Sequence, residues 1–345
     1  MHIRHKALML AVAGLACVPT MAAARTQIRA VGSSTVYPFA TAVAERLARA
    51  NPNMKPPVIE STGTGGGMKL FCAGVGEQHP DIENASRRIK ASEMKQCKEN
   101  GVTEITEIQV GIDGIAFSTA KATPMANVSS LDIYKALAKT PFGKPNKTKT
   151  WKDVNGSLPA TPIRVFGPPP TSGTRDAFGE LIMTAGCSTS PAMQALKKSD
   201  ENKFKAICTG VREDGAYVES GENDNLIVQK LESNPGTIGI FGYSYLEENA
   251  DKLKGISING VAPTYDSIAS FKYPGSRPLY VYVKNAHVRA IPAIKAYVAE
   301  FTKETAWGPG GYLVKRGMIA APDAIRAKSA AAARALTPLD PATVK

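Results

Sequence analysis

Three clusters of glycine and hydroxyl residues carry the clearest chemistry in this chain: Gly32-Ser33-Ser34-Thr35, Gly63-Thr64-Gly65-Gly66-Gly67 and Thr171-Ser172-Gly173-Thr174-Arg175. Each stands just before residues with helical apolar spacing. A helix N-terminus offers unpaired backbone N–H groups and the positive end of the helix dipole. Glycine lets an anion approach the backbone, and serine or threonine adds a hydroxyl donor, so the combination binds oxyanions. One such turn is an ordinary helix cap. Three of them predict one anion held from several sides.

The elements that position these clusters follow from periodicity. After the first cluster, Val36, Phe39, Ala40, Val43 and Leu47 recur at steps of three and four, predicting a helix over 37–51. After the third, Ala177, Phe178, Leu181 and Ile182 predict a helix over 175–185, with Gly186 as its stop. Met68, Leu70 and Phe71 give a weaker helical signal over 68–74. Short aliphatic runs at 27–31, 57–60, 107–118 and 163–166 alternate with these helices and read as strands. Such alternation predicts an α/β fold with largely parallel sheets, whose ligands sit beyond the carboxyl ends of the strands. The chain is expected to cross between two domains at 111–118 and again around 260–266. From Pro322 onward an alanine-rich helix and a frayed tail are expected.

The chain opens with a basic stretch, Met1 to Lys6, then an apolar run from Ala7 to Val18 and Ala22-Ala23-Ala24. That is the pattern of a cleaved secretory signal, residues 1–24, with cleavage after Ala24. The run is too short for a bilayer span of about 20 residues. Export leaves Cys72, Cys97, Cys187 and Cys208, which predicts two disulfides. Three pairings are open, and the nearest-neighbour pairs 72–97 and 187–208 would each staple one half of the molecule. A metal site is disfavoured, since no C-x-x-C pair occurs and only His79 and His287 remain after the signal. No cofactor is expected. The net charge of +12 suits anion steering. Its dispersed lysines and arginines form no aromatic-interleaved basic stripe, so nucleic acid is not an expected partner.

In motif order and spacing the sequence resembles the periplasmic phosphate-binding subunits of ABC-type phosphate importers, the PstS family within the type II periplasmic binding proteins. The resemblance rests on Val31 to Pro38, Ser61 to Lys69, Asp81 to Arg87, Asp113 to Ala116, Thr171 to Arg175 and Asn234 to Gly239. It implies two lobes, each a mixed, mainly parallel sheet flanked by helices, with the ligand in the cleft. Lobe 1 would comprise residues 25–118 and 263–345, lobe 2 residues 119–262. It also implies inorganic phosphate as ligand, an ABC permease as partner, a periplasmic location and a monomer. Carried over by position, Ser34, Thr35 and Val36 would hold the anion from the first helix and Thr64 and Gly65 from the second. Ser172, Gly173 and Thr174 would close on it from the other lobe.

Two departures from the family pattern concern specificity. Many members place an aspartate where this chain has Arg87, and that aspartate accepts the proton of monohydrogen phosphate, which excludes sulfate. They also supply an arginine a few residues before Ser-Gly-Thr, where this chain has Phe166-Gly167-Pro168-Pro169-Pro170. Arg175 and Arg87, the latter beside Ser86, are the expected cationic donors here, and Asp113 the expected proton acceptor. Without an acceptor the site would take a sulfate-like anion. A secreted phosphatase is the rival from another class. Against it stand the absent G-x-S-x-G elbow and the two remaining histidines, so no catalytic residue is expected.

Overall fold

The first aliphatic run forms β1 (Arg29–Gly32), and the apolar positions that follow form α1 (Tyr37–Ala50), whose buried face is Phe39, Ala40, Val43, Ala44 and Leu47. Further along lie β2 (Val58–Ser61), α2 (Thr64–Phe71), β3 (Ile82–Ala85) and α3 (Ala91–Glu99). The computed structural model describes residues 26–170, 172–221 and 224–344. The predicted signal segment and Thr171 lie outside the described residues.

β4 (Ile105–Ala120) organises the molecule. Its first part, Ile105 to Gly114, pairs antiparallel with β11 (Ser276–Lys284), and β11 pairs antiparallel with β3. β1 lies parallel to β3 and to β2. Beyond Gly114, β4 changes partners. Ile115 to Ser118 pair with β8 (Ile238–Gly242), and Ser118 to Ala120 with β9 (Leu253–Gly255). β6 (Val165–Gly167) lies parallel to β8 and to β7 (Tyr217–Glu219), while β5 (Asn127–Val128) and β10 (Ser257–Ile258) form a separate two-stranded ribbon. The fold is thus α/β, with parallel pairs toward both edges and antiparallel strands through the centre.

Separate cores pack on the two halves of β4. Phe117, Trp151, Phe178 and Phe241 anchor one, and Phe39, Tyr297 and Trp307 the other. A smaller cluster of Met68, Phe71 and Tyr282 surrounds the Cys72–Cys97 disulfide. Cys187 pairs with Cys208. Both bridges are the nearest-neighbour pairs. Among the described residues no helix is long and apolar enough to cross a membrane.

Two sequence expectations fail for physical reasons. Gly186 does not stop its helix: the segment runs from Gly173 through a π-helical stretch (Phe178–Met183) to Cys187. A Cβ at Gly186 would run into the carbonyl of Ser130, so the glycine serves close helix packing instead. The tail after the helix Asp323–Ala335 is tied down rather than frayed. Leu339 N–H donates to Ile105 O at 2.7 Å, Arg88 Nη1 donates to Thr343 O at 2.6 Å, and Val344 is buried.

Candidate functional site

The first cluster forms the turn from β1 into α1. Thr35 N–H donates to Ser33 Oγ at 3.2 Å, and Tyr37 N–H donates to Ser33 O at 3.0 Å. Val36 is the residue that heads the helix, and Ser33, Thr35 and Val36 are buried. In the third cluster Ser172 caps the helix Gly173–Ala177 by accepting Thr174 N–H at 3.2 Å. The two helix N-termini meet. Thr35 Oγ1 donates to Gly173 O at 3.1 Å, and the Ser34 hydroxyl donates to the Asp176 carboxylate. A Cβ on Gly173 would lie 2.5 Å from Thr35 Cα, so only glycine permits this approach.

The second cluster opens α2. Gly63 has φ +69°, a conformation that glycine adopts without steric cost. Thr64 Oγ1 accepts Ser86 N–H at 3.1 Å and lies 3.1 Å from Ser86 Oγ, fixing the end of β3 to the start of α2. Gly65 faces open space, whereas Gly67 packs on Gly32 Cα and on the carboxylate of Glu83.

Between the helix ends stands Arg277, the second residue of β11 and 4% exposed. Its Nε donates to Asp113 Oδ2 at 3.1 Å, Nη1 to Glu180 Oε2 at 2.7 Å, and Nη2 to Thr35 Oγ1 at 2.5 Å. Burial raises the Asp113 pKa above the usual carboxylate value, and the Arg277 charge opposes that rise. Two cavities open beside this knot. One of about 470 Å³ is lined by Ser34, Thr35, Asp113, Ser172, Gly173 and Thr174, with Arg316 and Tyr245 on its wall. The other, about 370 Å³, is bounded by Ser86, Arg87, Glu180 and Arg277.

Two of the expected donors point elsewhere. Arg87 is held bidentately by Glu93, at 2.9 and 2.7 Å. Arg175 donates to Pro168 O at 3.1 Å, and its guanidinium lies 4.4 Å from the centre of the Tyr217 ring. The first cavity therefore gathers Ser34, Thr35, Asp113, Ser172, Gly173 and Thr174. Thr64 and Ser86 hold each other, Ser86 and Arg87 bound the second cavity, and Arg175 lines neither. Sequence reasoning missed Arg277, Glu180 and Arg316. Arg277 gave one usable signal, a cation two residues before the aliphatic and aromatic run Leu279 to Val283.

Glu83 was missed as well. It lies fully buried in β3 between β1 and β11, and neither carboxylate oxygen has a hydrogen-bond partner. Burial pushes its pKa well above the ordinary value, the nearby Glu93 charge adds to the rise, and Arg87 opposes it. The two histidines are engaged away from both cavities. His287 Nε2 accepts Gly76 N–H at 2.9 Å and its Nδ1 lies 2.7 Å from Asp81 Oδ1, while His79 packs beside Gly74. Among the described residues no group of histidine, cysteine, aspartate and glutamate is placed to hold a metal ion.

Residues 18–305 match the family model of the PBP superfamily domain. The chain belongs to that superfamily. It is 34% identical to "Protein SphX" of Synechococcus elongatus over 84% of this chain and 80% of that protein. It is 31% identical to the "Phosphate-binding protein PstS" of Staphylococcus haemolyticus over 85% of this chain and 80% of the relative. The crystal structure of a possible phosphate binding protein from Planctomyces limnophilus superposes with a TM-score of 0.71 at 31% identity. That match covers 89% of this chain and 98% of the other. The family read from the motif order is the family found, and it is one of binding receptors rather than enzymes.

Proposed function

We propose that this chain captures inorganic phosphate in the cleft between two lobes and delivers it to an ABC permease. The observation that carries the proposal is the meeting of two oxyanion-type helix ends, one on each side of the cleft, at Thr35 and Gly173. Ligand contacts made to both sides at once favour the closed form, because an anion bound to one lobe alone forfeits half of its donors. Relatives named as phosphate-binding proteins support the choice of ligand.

The anion's donors are assigned to Ser34, Thr35 and the Val36 N–H on one side, with Thr64, Gly65 and Ser86 beside them, and to Ser172, Gly173 and Thr174 on the other. Carboxylates also stand at this cleft: Asp113, Asp176 and Glu180 each touch one of its donors or its buried arginine. Acceptors of this kind suit an anion that still carries a proton, which phosphate does near neutrality and sulfate does not. A site that hydrogen-bonds a ligand proton rejects the analogue that lacks it, since a buried acceptor is otherwise left unpaired. Asp113 is the assigned acceptor because it is the most enclosed of the three.

Lobe 1 is assigned to residues 25–118 with 263–345, and lobe 2 to residues 119–262. In support, β4 changes strand partners beyond Gly114 and β11 returns at Ser276. The working location is the periplasm, reached through a signal cleaved after Ala24, and the working state is a monomer. Calorimetric titration of ligand-stripped protein with phosphate tests the reading. Saturable 1:1 binding is expected, and heats no larger than those of dilution refute it.

A further inference from the structure

Resting on the phosphate reading, we propose that Arg277 is the cation that receives the oxyanion and that Glu180 is its placeholder, displaced when the anion arrives. Two other arginines, Arg87 and Arg175, stand nearer the motifs. Both ends of the Arg87 fork are taken by Glu93, and Arg175 is turned against the Tyr217 ring. Arg277 is instead buried at the point where both sides of the cleft meet. It contacts Thr35 at the head of α1 and, at 3.5 Å, the Gly173 carbonyl opposite.

The partners of Arg277 differ in how readily they can leave. A guanidinium presents five N–H donors in a planar fork that matches an oxyanion edge. Asp113 holds Nε, and its side chain is only 13% exposed, so it stays in place and fixes the plane of the fork. Glu180 holds Nη1 from the opposite side of the cleft, and its side chain is 55% exposed. An exposed carboxylate returns to water at little cost, whereas a buried one cannot.

Glu180 also lies on the π-helical stretch Phe178–Met183, a widened turn of a kind that recurs at functional sites. The exchange keeps Arg277 paired. One anion replaces another on Arg277, so the buried guanidinium is never left without a counter-charge. The Ser34–Asp176 contact has the same form, a hydroxyl at the head of α1 capped by a carboxylate from the opposite helix. Both lobe 2 carboxylates thus sit on groups that an oxyanion would use.

The inference is tested by titrating phosphate into stripped wild-type protein and the variants Arg277→Gln, Arg277→Lys and Glu180→Gln, with thermal melts as folding controls. Loss of two charge-assisted bonds predicts that Arg277→Gln weakens binding about 100-fold or more. Arg277→Lys, which keeps the charge but not the fork, should recover part of that loss. Glu180→Gln should bind phosphate several-fold more tightly, because the anion no longer competes with a carboxylate.

Folded Arg277 variants that bind within twofold of wild type would overturn the inference. Glu180→Gln binding more weakly than wild type would also overturn it, since Glu180 would then be a latch that closes on bound anion. Should the Arg277 variants fail to fold, the direction of the Glu180→Gln change decides alone. Wild-type protein that binds no phosphate refutes the receptor reading itself, a result distinct from normal wild-type binding with indifferent variants.

Discussion

Replacing Gly173 by alanine should separate cleft closure from folding. The added Cβ would sit 2.5 Å from Thr35 Cα, 2.7 Å from Thr35 N and 2.9 Å from Thr35 Oγ1. Two of these are backbone atoms that no rotamer change can move, so with an ordinary contact distance of about 3.5 Å the facing helix ends must part by about 1 Å. That displacement breaks the Thr35–Gly173 hydrogen bond at 3.1 Å and carries the Arg277–Gly173 contact at 3.5 Å out of range. Donors on the two helix ends then no longer reach one anion together, and losing one charge-assisted bond at about 1.5–3 kcal/mol should lower phosphate affinity roughly 10- to 100-fold. Within its own helix the substitution is harmless. Gly173 is not among the glycines with positive φ, and alanine gains up to about 1 kcal/mol of helix propensity over glycine. The assay is calorimetric titration with phosphate beside a thermal melt: weaker binding with an unchanged or raised melting temperature is expected. Unchanged affinity would refute the reasoning, because it would mean that the close approach of the two helix ends plays no part in the bound state.

Two further expectations concern stability. Glu83 has its pKa raised well above 4.5 by burial, so above about pH 4.5 the unfolded chain releases this proton while the native one keeps it. Its contribution therefore declines as pH rises from about 4.5 toward the native pKa, at up to about 1.4 kcal/mol per pH unit, and is flat below that window. Glu83→Gln should remove this slope, so urea titrations across pH should show wild type losing stability relative to the variant. Parallel stability–pH curves would count against a buried neutral acid. Replacing Cys187 and Cys208 together by alanine opens a loop of 21 residues' separation and should cost about 3 kcal/mol in denaturant midpoint experiments. The same pair of substitutions should leave phosphate-over-sulfate preference intact, since the bridge lies outside the cleft lining; a changed preference would argue that it shapes the site.

The parts of the site legible in the sequence were those governed by local rules. Glycine and hydroxyl residues just before a 3.6-residue apolar period marked the starts of α1 and of the helix at Gly173, and α1 lies within a residue of its predicted end. α2 starts earlier than its apolar spacing indicates, because three successive glycines weaken a helical signal, while in the fold Gly67 is required where α2 crosses Gly32 and Glu83. β11 escaped notice because Pro278 interrupts the strand pattern and its partners β3 and β4 lie more than 160 residues earlier. Arg277 was lost with it. Glu83 sits in the polar run Asp81-Ile82-Glu83-Asn84, which resembles surface until β1 and β11 enclose it on both sides. The pairing of Arg87 with Glu93 and the stacking of Arg175 on Tyr217 depend on side-chain directions that spacing does not encode.

Closure on phosphate is the central claim, and small-angle X-ray scattering of the ligand-stripped chain, without and with saturating phosphate, tests it most directly. Sulfate at matched ionic strength is the control. The account predicts a smaller radius of gyration with phosphate and no change with sulfate. An unchanged radius with bound phosphate, or equal compaction by sulfate, would contradict it.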